Sequence, residues 1–271
     1  AVMDLAALSN DPTGELDPEK TMAINYNGRV RVATLSKKYN VERYILASSC
    51  SIYGFHEGIL NENSSTNPLT TYAKANLQAE EDILPLAAEK FTVTVLRQAT
   101  VYGLSPRMRF DLAINGMTLG FFKNGKIPIL KDGTQWRPFV HVKDTSKAFI
   151  LAMESEKEDV GGEIFNVGSN EQNYQIFNLA NLVADAVGLP FQYEWYGFPD
   201  NRSYRVSFDK IANILKFKPD YSPREGGKEV YEALKEGLVK DDLKTITVKW
   251  YKHLLEMHTY IKEVEMNGMI L

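Results

Sequence analysis

Apolar and polar positions along the chain change period several times, and each change marks an element. Val2-Met3-Asp4-Leu5-Ala6-Ala7 is mostly apolar and predicts a strand; Tyr44-Ile45-Leu46-Ala47-Ser48 and Thr92-Val93-Thr94-Val95-Leu96 predict two more. Between the first two, Asp17 is a plausible N-cap, Pro18 takes the first helical position and Glu19 the first turn. Met22, Tyr26, Val30 and Ala33 come next at helical spacing, predicting a helix of roughly 20 residues. Ala73, Leu77, Leu84 and Ala87 mark a second helix. The alternation repeats in Phe139-Val140-His141-Val142, a helix through Phe149 and Met153, and Ile164-Phe165-Asn166-Val167. Strands this apolar, separated by helices, predict an α/β fold with a parallel sheet buried on both faces. The stretch 54–71 has no period and predicts a long loop of the kind that often carries function. Beyond Gly168 the pattern shifts to a helix on Leu179, Leu182, Val183 and Ala186, then an aromatic segment over 191–198. No Gly/Ser linker separates this second region, so it is expected to be woven onto the sheet.

Composition narrows the function classes. The 271 residues carry 31 basic and 35 acidic side chains, a formal charge of −4, which argues against a sequence-blind nucleic-acid binder. With 44% hydrophobic and 24% charged residues the chain is neither disordered nor collagen-like. One cysteine, Cys50, excludes an internal disulfide and fits a reducing compartment. No apolar run reaches about 18 residues and no signal-peptide layout opens the chain, so a cytoplasmic protein without membrane partners is expected. His56, His141, His253 and His258 show no ligand spacing, so no metal is expected, and no Gly-x-Ser-x-Gly elbow supports a serine hydrolase. Because the sequence opens directly on a strand, a preceding segment is expected.

In a parallel sheet, the loops leaving the C-terminal strand ends form one crevice. Three segments converge there: 47–54 (Ala-Ser-Ser-Cys-Ser-Ile-Tyr-Gly), 68–76 (Pro-Leu-Thr-Thr-Tyr-Ala-Lys-Ala-Asn) and 96–103 (Leu-Arg-Gln-Ala-Thr-Val-Tyr-Gly). Taken singly, each has a plain alternative: a Ser-rich strand end with a Gly54 turn, a packing tyrosine at a helix start, a strand running into a loop.

Together, in this order and spacing, they resemble the extended short-chain dehydrogenase/reductases, the NAD-dependent nucleotide-sugar epimerases and dehydratases, over essentially the whole chain. The resemblance implies a Rossmann-like parallel sheet over 1–103 and 138–168, and a smaller interwoven substrate-binding region over 104–137 and 169–271. Leu5, Ala6 and Ala7 match the end of the family's fourth strand, and Asn25-Tyr26-Asn27-Gly28 matches the Asn-x-x-Gly of the next helix. Ser48 to Gly54 is similar to the Ser-Ser-x-x-Val-Tyr-Gly element, with Ser49 the substrate-contacting hydroxyl, and Tyr72 falls at the tyrosine of Tyr-x-x-x-Lys. Leu5, Ala6, Ala7, Asn25, Ser48, Tyr72 and Asn76 are thereby implied at NAD, with NADP not excluded; Ser49, Thr100, Arg137 and Arg202 are implied at a nucleotide-diphosphate sugar. Arg202 also has the plain alternative of a solvated surface arginine. Helices around 18–39 and 73–90 resemble those that pair in family homodimers.

Two departures stand out. No Gly-x-x-Gly-x-x-Gly cradles a diphosphate, so the chain resembles a form lacking its N-terminal segment, and tight dinucleotide binding by this segment alone is not expected. Asn76 stands where the family has lysine, while Glu80 in the same helix keeps its place. A phenol with pKa about 10 is only about 0.1% ionised at pH 7, so a lost cation would leave the base less ready. The resemblance implies hydride removal and return at a sugar carbon, most simply a 4-epimerase with Ser49, Tyr72 and Asn76 in the catalytic positions. Cys50 and Ser51 replace the acid pair that dehydratases require. The alternatives are an impaired or non-catalytic nucleotide binder, and a nucleotide-sugar reductase or dehydratase.

Overall fold

A computed structural model describes residues 1–270. From β1 (Val2–Asp4) the chain passes α1 (Asp11–Gly14) into α2 (Pro18–Met22), where the Asp17 carboxylate accepts from the Lys20 N–H at 2.9 Å as the N-cap rule requires. A π-helical turn, Ala23–Gly28, carries the same rod into α3 (Arg29–Lys38). Beyond it lie β2 (Arg43–Ser49), β3 (Phe55–Leu60), α4 (Thr71–Ile83), β4 (Thr92–Gln98), β5 (Thr100–Tyr102), α5 (Ala113–Asn124), β6 (Ile127–Leu130) and β7 (Trp136–His141). Next come α6 (Val142–Glu154), α7 (Lys157–Val160), β8 (Glu163–Val167), β9 (Asn173–Gln175), α8 (Ile176–Val187), β10 (Tyr193–Tyr196) and β11 (Ser203–Val206). The last elements are α9 (Asp209–Ile214), α10 (Pro223–Lys235) and α11 (Thr247–Val264).

The central sheet runs β1-β2-β4-β8, all parallel, with Val2 opposite Tyr44, Leu46 opposite Val95 and Leu96 opposite Phe165. Its strands are covered on both sides, as their apolar runs require. Tyr44 and Leu46 of β2 join Val93 and Val95 of β4 in a core with Ala79 and Ile83 of α4. Ile45 and Leu96, one residue out of phase, face the opposite core with Phe149 and Phe165. The second region is woven into that same core: Tyr204, Val206, Phe208 and Ile211 all pack there. A separate core between α5, α8 and β6 gathers Ile114, Phe121, Ile129, Leu179 and Val183.

Three local expectations need correction and a fourth needs extending. The first strand stops at Asp4 because its side chain accepts the Ala6 N–H at 3.1 Å and turns the chain out of the sheet. The expected loop over 54–71 contains β3, which pairs in parallel with β11, a partner about 150 residues away that no local pattern announces. Its start is the predicted turn: Gly54 has φ +66°, and a Cβ there would sit 1.9 Å from the Asn67 carbonyl oxygen. The strand around Phe139 belongs to a β5-β7-β9 sheet, not to the central one. Finally, of the expected Met22, Tyr26, Val30 and Ala33, Ala33 is fully buried and Tyr26 and Val30 pack partly against the core, while the rod from α2 to α3 also buries the mostly polar Thr21, Asn25, Arg29 and Ser36 beside them. No described helix is long and apolar enough to cross a membrane.

Candidate active site

The C-terminal ends of the central strands open onto one cavity of about 730 Å³, closed on the far side by residues from 109–139 and 196–204. Ser49 and Tyr72 both line it. Ser49 is the last residue of β2, and its Oγ accepts the Ser51 N–H at 3.1 Å, capping the tight turn Cys50–Tyr53. The hydroxyl proton is left free to donate. Tyr72 stands in the first turn of α4, where Thr70 Oγ1 caps the Ala73 N–H at 3.2 Å and donates in turn to Asp11 at 2.5 Å. Among the described residues the Tyr72 hydroxyl has no hydrogen-bond partner, so its oxygen is available to a ligand.

Two ties fix the spacing of β2 and α4. The Ser48 hydroxyl donates to Glu80, two turns along α4 from Tyr72. Glu80 accepts from Arg97 of β4 at Nη2 (2.7 Å) and Nε (3.0 Å). Both side chains of this pair are buried, and although burial opposes the guanidinium charge, the Glu80 carboxylate more than restores it. Ser48 is therefore on the cavity wall, as expected, with its hydroxyl proton committed to Glu80.

The expected residues divide further. Leu5, Ala7 and Thr100 line the cavity, as do Arg137 and Arg202. Asn25 does not: it is fully buried, with Nδ2 donating to the Leu8 carbonyl at 3.0 Å and Oδ1 accepting the Leu8 N–H at 2.8 Å, so it shapes the loop after β1 from behind. Asn76 is also off the wall, its amide donating to the Tyr72 carbonyl at 2.9 Å and accepting from Arg29 at 2.8 Å. Ala6 contributes a carbonyl that accepts from Arg29 Nε at 3.1 Å.

On the wall formed by β7 and the segment 196–204, two arginines share one carboxylate. Arg137 Nη2 reaches Asp200 at 2.9 Å, Arg202 Nη2 reaches it at 2.7 Å, and Arg202 also pairs with Asp11. Burial works against the Asp200 charge, but the Arg202 hydrogen bond and the pull of Arg137 hold its carboxyl below the usual range. Sequence pattern alone does not single out Asp11 or Asp200; the Asp-x-Arg spacing at 200–202 is the available signal for one, and nothing local signals the other. Three further wall residues lack any such signal: Gln98, Ser51 and Gln135 line the cavity, and the Gln98 Oε1, Ser51 Oγ and Gln135 Oε1 atoms are buried without a hydrogen bond among the described residues. Cys50 is buried and burial pushes its thiol up, so it packs and does not attack.

Comparison with known proteins shows what the chain as a whole is similar to. The model of a family described as "NAD dependent epimerase/dehydratase family" matches residues 1–168. An uncharacterized UDP-glucose epimerase, YtcB of Bacillus subtilis, is 27% identical over 210 residues, covering 75% of this chain and 64% of the relative. A UDP-glucuronate 4-epimerase of Thermodesulfobacterium geofontis is 27% identical over 248 residues, covering 88% of this chain and 73% of the relative. The solved structure of MoeE5 in complex with UDP-glucuronic acid and NAD is 27% identical, covers 87% of this chain and 79% of that one, and superposes with a TM-score of 0.77.

Proposed function

The chain belongs to the NAD dependent epimerase/dehydratase family, and from that premise we propose that it is an NAD-dependent nucleotide-sugar 4-epimerase. The observation that carries the reading is the shared cavity: the Ser49 donor, the unengaged Tyr72 phenol and the arginines Arg137 and Arg202 all line it. The relatives named UDP-glucose and UDP-glucuronate epimerases support a uridine diphosphate sugar as substrate.

The walls suit the nicotinamide end of the cofactor. Apolar Leu5, Ala7 and Val101 line the cavity together with the polar residues Ser51 and Gln98, a surface for a flat ring carrying an amide. No Gly-x-x-Gly-x-x-Gly occurs in the sequence to cradle the diphosphate, so the fit concerns the nicotinamide half. When bound, oxidised nicotinamide supplies a hydride acceptor. Tyr72 takes the proton of the sugar hydroxyl, and Ser49 donates a hydrogen bond to that oxygen as its charge develops. Arg137 and Arg202 exchange Asp200 for the substrate diphosphate, whose oxygens match planar bidentate donors.

Offered UDP-glucose or UDP-glucuronate with NAD, the protein is expected to yield the C4 epimer, read by anion-exchange chromatography; a dehydrated 4-keto-6-deoxy product would overturn the assignment. Arg137→Ala should raise KM for the nucleotide sugar about 10- to 100-fold, the value of one charged hydrogen bond at about 1.5–3 kcal/mol. A second reading, a non-catalytic nucleotide binder, is favoured by Asn76, which carries no charge beside Tyr72. A homodimer is part of the proposal, since Ile24, Val32, Leu35 and Tyr39 leave an exposed apolar strip on α2–α3. Light scattering should then give twice the 30.7 kDa of the chain; a monomer would contradict it.

A further inference from the structure

Helix α3 buries a cation that the proposed chemistry leaves idle. Arg29 is 3% exposed and held on two sides, with Nε donating to the Ala6 carbonyl at 3.1 Å and Nη1 to Asn76 Oδ1 at 2.8 Å. Asp4 stands 4.0 Å from Nε, and is itself engaged by the Ala6 N–H and the Tyr44 hydroxyl. Arg29 nonetheless lines the cavity, and among the described residues its Nη2 has no hydrogen-bond partner. A guanidinium is an obligate donor that keeps its charge at any working pH, so a spare nitrogen on a cavity wall is a place for an acceptor oxygen.

The surroundings select which oxygen. Asp4 already balances the charge on the Nε side, and the neighbouring walls Leu5 and Ala7 add no second cation, so a phosphate would be poorly served. A sugar hydroxyl is neutral, accepts, and suits one donor in a mostly apolar wall. Asn76 sets the aim. Its amide nitrogen is tied to the Tyr72 carbonyl at 2.9 Å, which leaves its oxygen toward Arg29 and brings the guanidinium to the turn of α4 that carries Tyr72.

We infer that Arg29 binds a ribose hydroxyl of the nicotinamide dinucleotide, reaching from α3 to the place beside Tyr72 where α4 itself offers only Asn76. The inference rests on the cavity being a nicotinamide site, as proposed for this family member. Arg29 is then a cofactor-binding residue, and Asn76 a positioning residue for it.

NADH affinity, followed by nucleotide fluorescence, tests this, with UDP affinity as the control for the Arg137 and Arg202 wall of the cavity. Arg29→Gln is expected to weaken NADH binding about tenfold while leaving UDP within about twofold. Arg29→Lys should fall between the two. The decisive variant is Arg29→Gln with Asn76→Lys, which returns a cation from the opposite helix and should recover NADH affinity to within about threefold of native. Unchanged NADH affinity in Arg29→Gln overturns the inference. So does a loss that the double variant fails to recover, because a residue that merely stitches α3 to α4 would not be rescued by a lysine at 76. If the native protein binds neither NADH nor reduced nicotinamide mononucleotide, which carries the ring and its ribose without calling on a diphosphate cradle, the nicotinamide reading of the cavity fails and this inference falls with it, an outcome distinct from the first two.

Discussion

Tyr72→Phe is expected to lower turnover about 10²- to 10⁴-fold, the usual contribution of a positioned general base. The phenylalanine ring keeps the packing of the first turn of α4, where Gly14 approaches so closely that a Cβ on it would lie 3.2 Å from the Tyr72 Cβ. The lost oxygen makes no hydrogen bond within the described chain, so thermal stability and UDP affinity should stay near native. Turnover assay and thermal melt together check the prediction. A residual rate close to native would remove Tyr72 from the chemistry, and an equally low rate in native and variant would favour the non-catalytic reading that Asn76 motivates. Ser49→Ala should cost less than Tyr72→Phe, since it removes one donor to the developing oxyanion and not the proton acceptor.

Glu80→Ala should destabilise the fold by about 3–5 kcal/mol, the cost of stranding one member of a buried ion pair. Arg97 would keep a 2.9 Å hydrogen bond to the Tyr53 hydroxyl but lose the carboxylate that balances its charge. The consequence reaches the cavity, because Glu80 also holds Ser48 and so ties the end of β2 to α4. Turnover should therefore drop at temperatures where the variant is still folded. Replacing the pair together, Arg97→Met with Glu80→Leu, should recover much of the stability and little of the turnover. A stability for Glu80→Ala within about 1 kcal/mol of native, measured by urea unfolding, would contradict this role for the pair.

The central sheet is legible in the sequence because each of its strands is a short apolar run next to a strong helix signal: the Asp17-Pro18 start and the β-branched 92–96 segment need no distant partner to be recognised. Ser49 and Tyr72 are legible for a related reason, since parallel strands deliver their C-terminal loops to one side. Local pattern cannot show pairing across long separations. Phe-His-Glu-Gly-Ile-Leu over 55–60 lacks alternation and becomes β3 only because 203–206 lies against it. The counter-ions of the arginines show the same limit, with Asp11 separated from Arg202 by 191 positions. Apolar spacing hides Arg29, because it marks Met22, Tyr26, Val30 and Ala33 as the inward face and gives no sign that the polar Thr21, Asn25, Arg29 and Ser36 beside them are buried too. Asn25 and Asn76 lie off the cavity wall for one physical reason: each side-chain amide is already engaged by a neighbour within the chain.

A 4-epimerase of this kind requires a hydride to leave the sugar C4 and come back to that same carbon on the other face while Tyr72 handles the hydroxyl proton. UDP-glucose carrying deuterium at C4, incubated with the protein and NAD in ordinary water, reads this directly by NMR and mass spectrometry of the product. The epimer should retain its C4 deuterium. Epimer with hydrogen at C4, or no epimer from this or the glucuronate substrate, would contradict the mechanism.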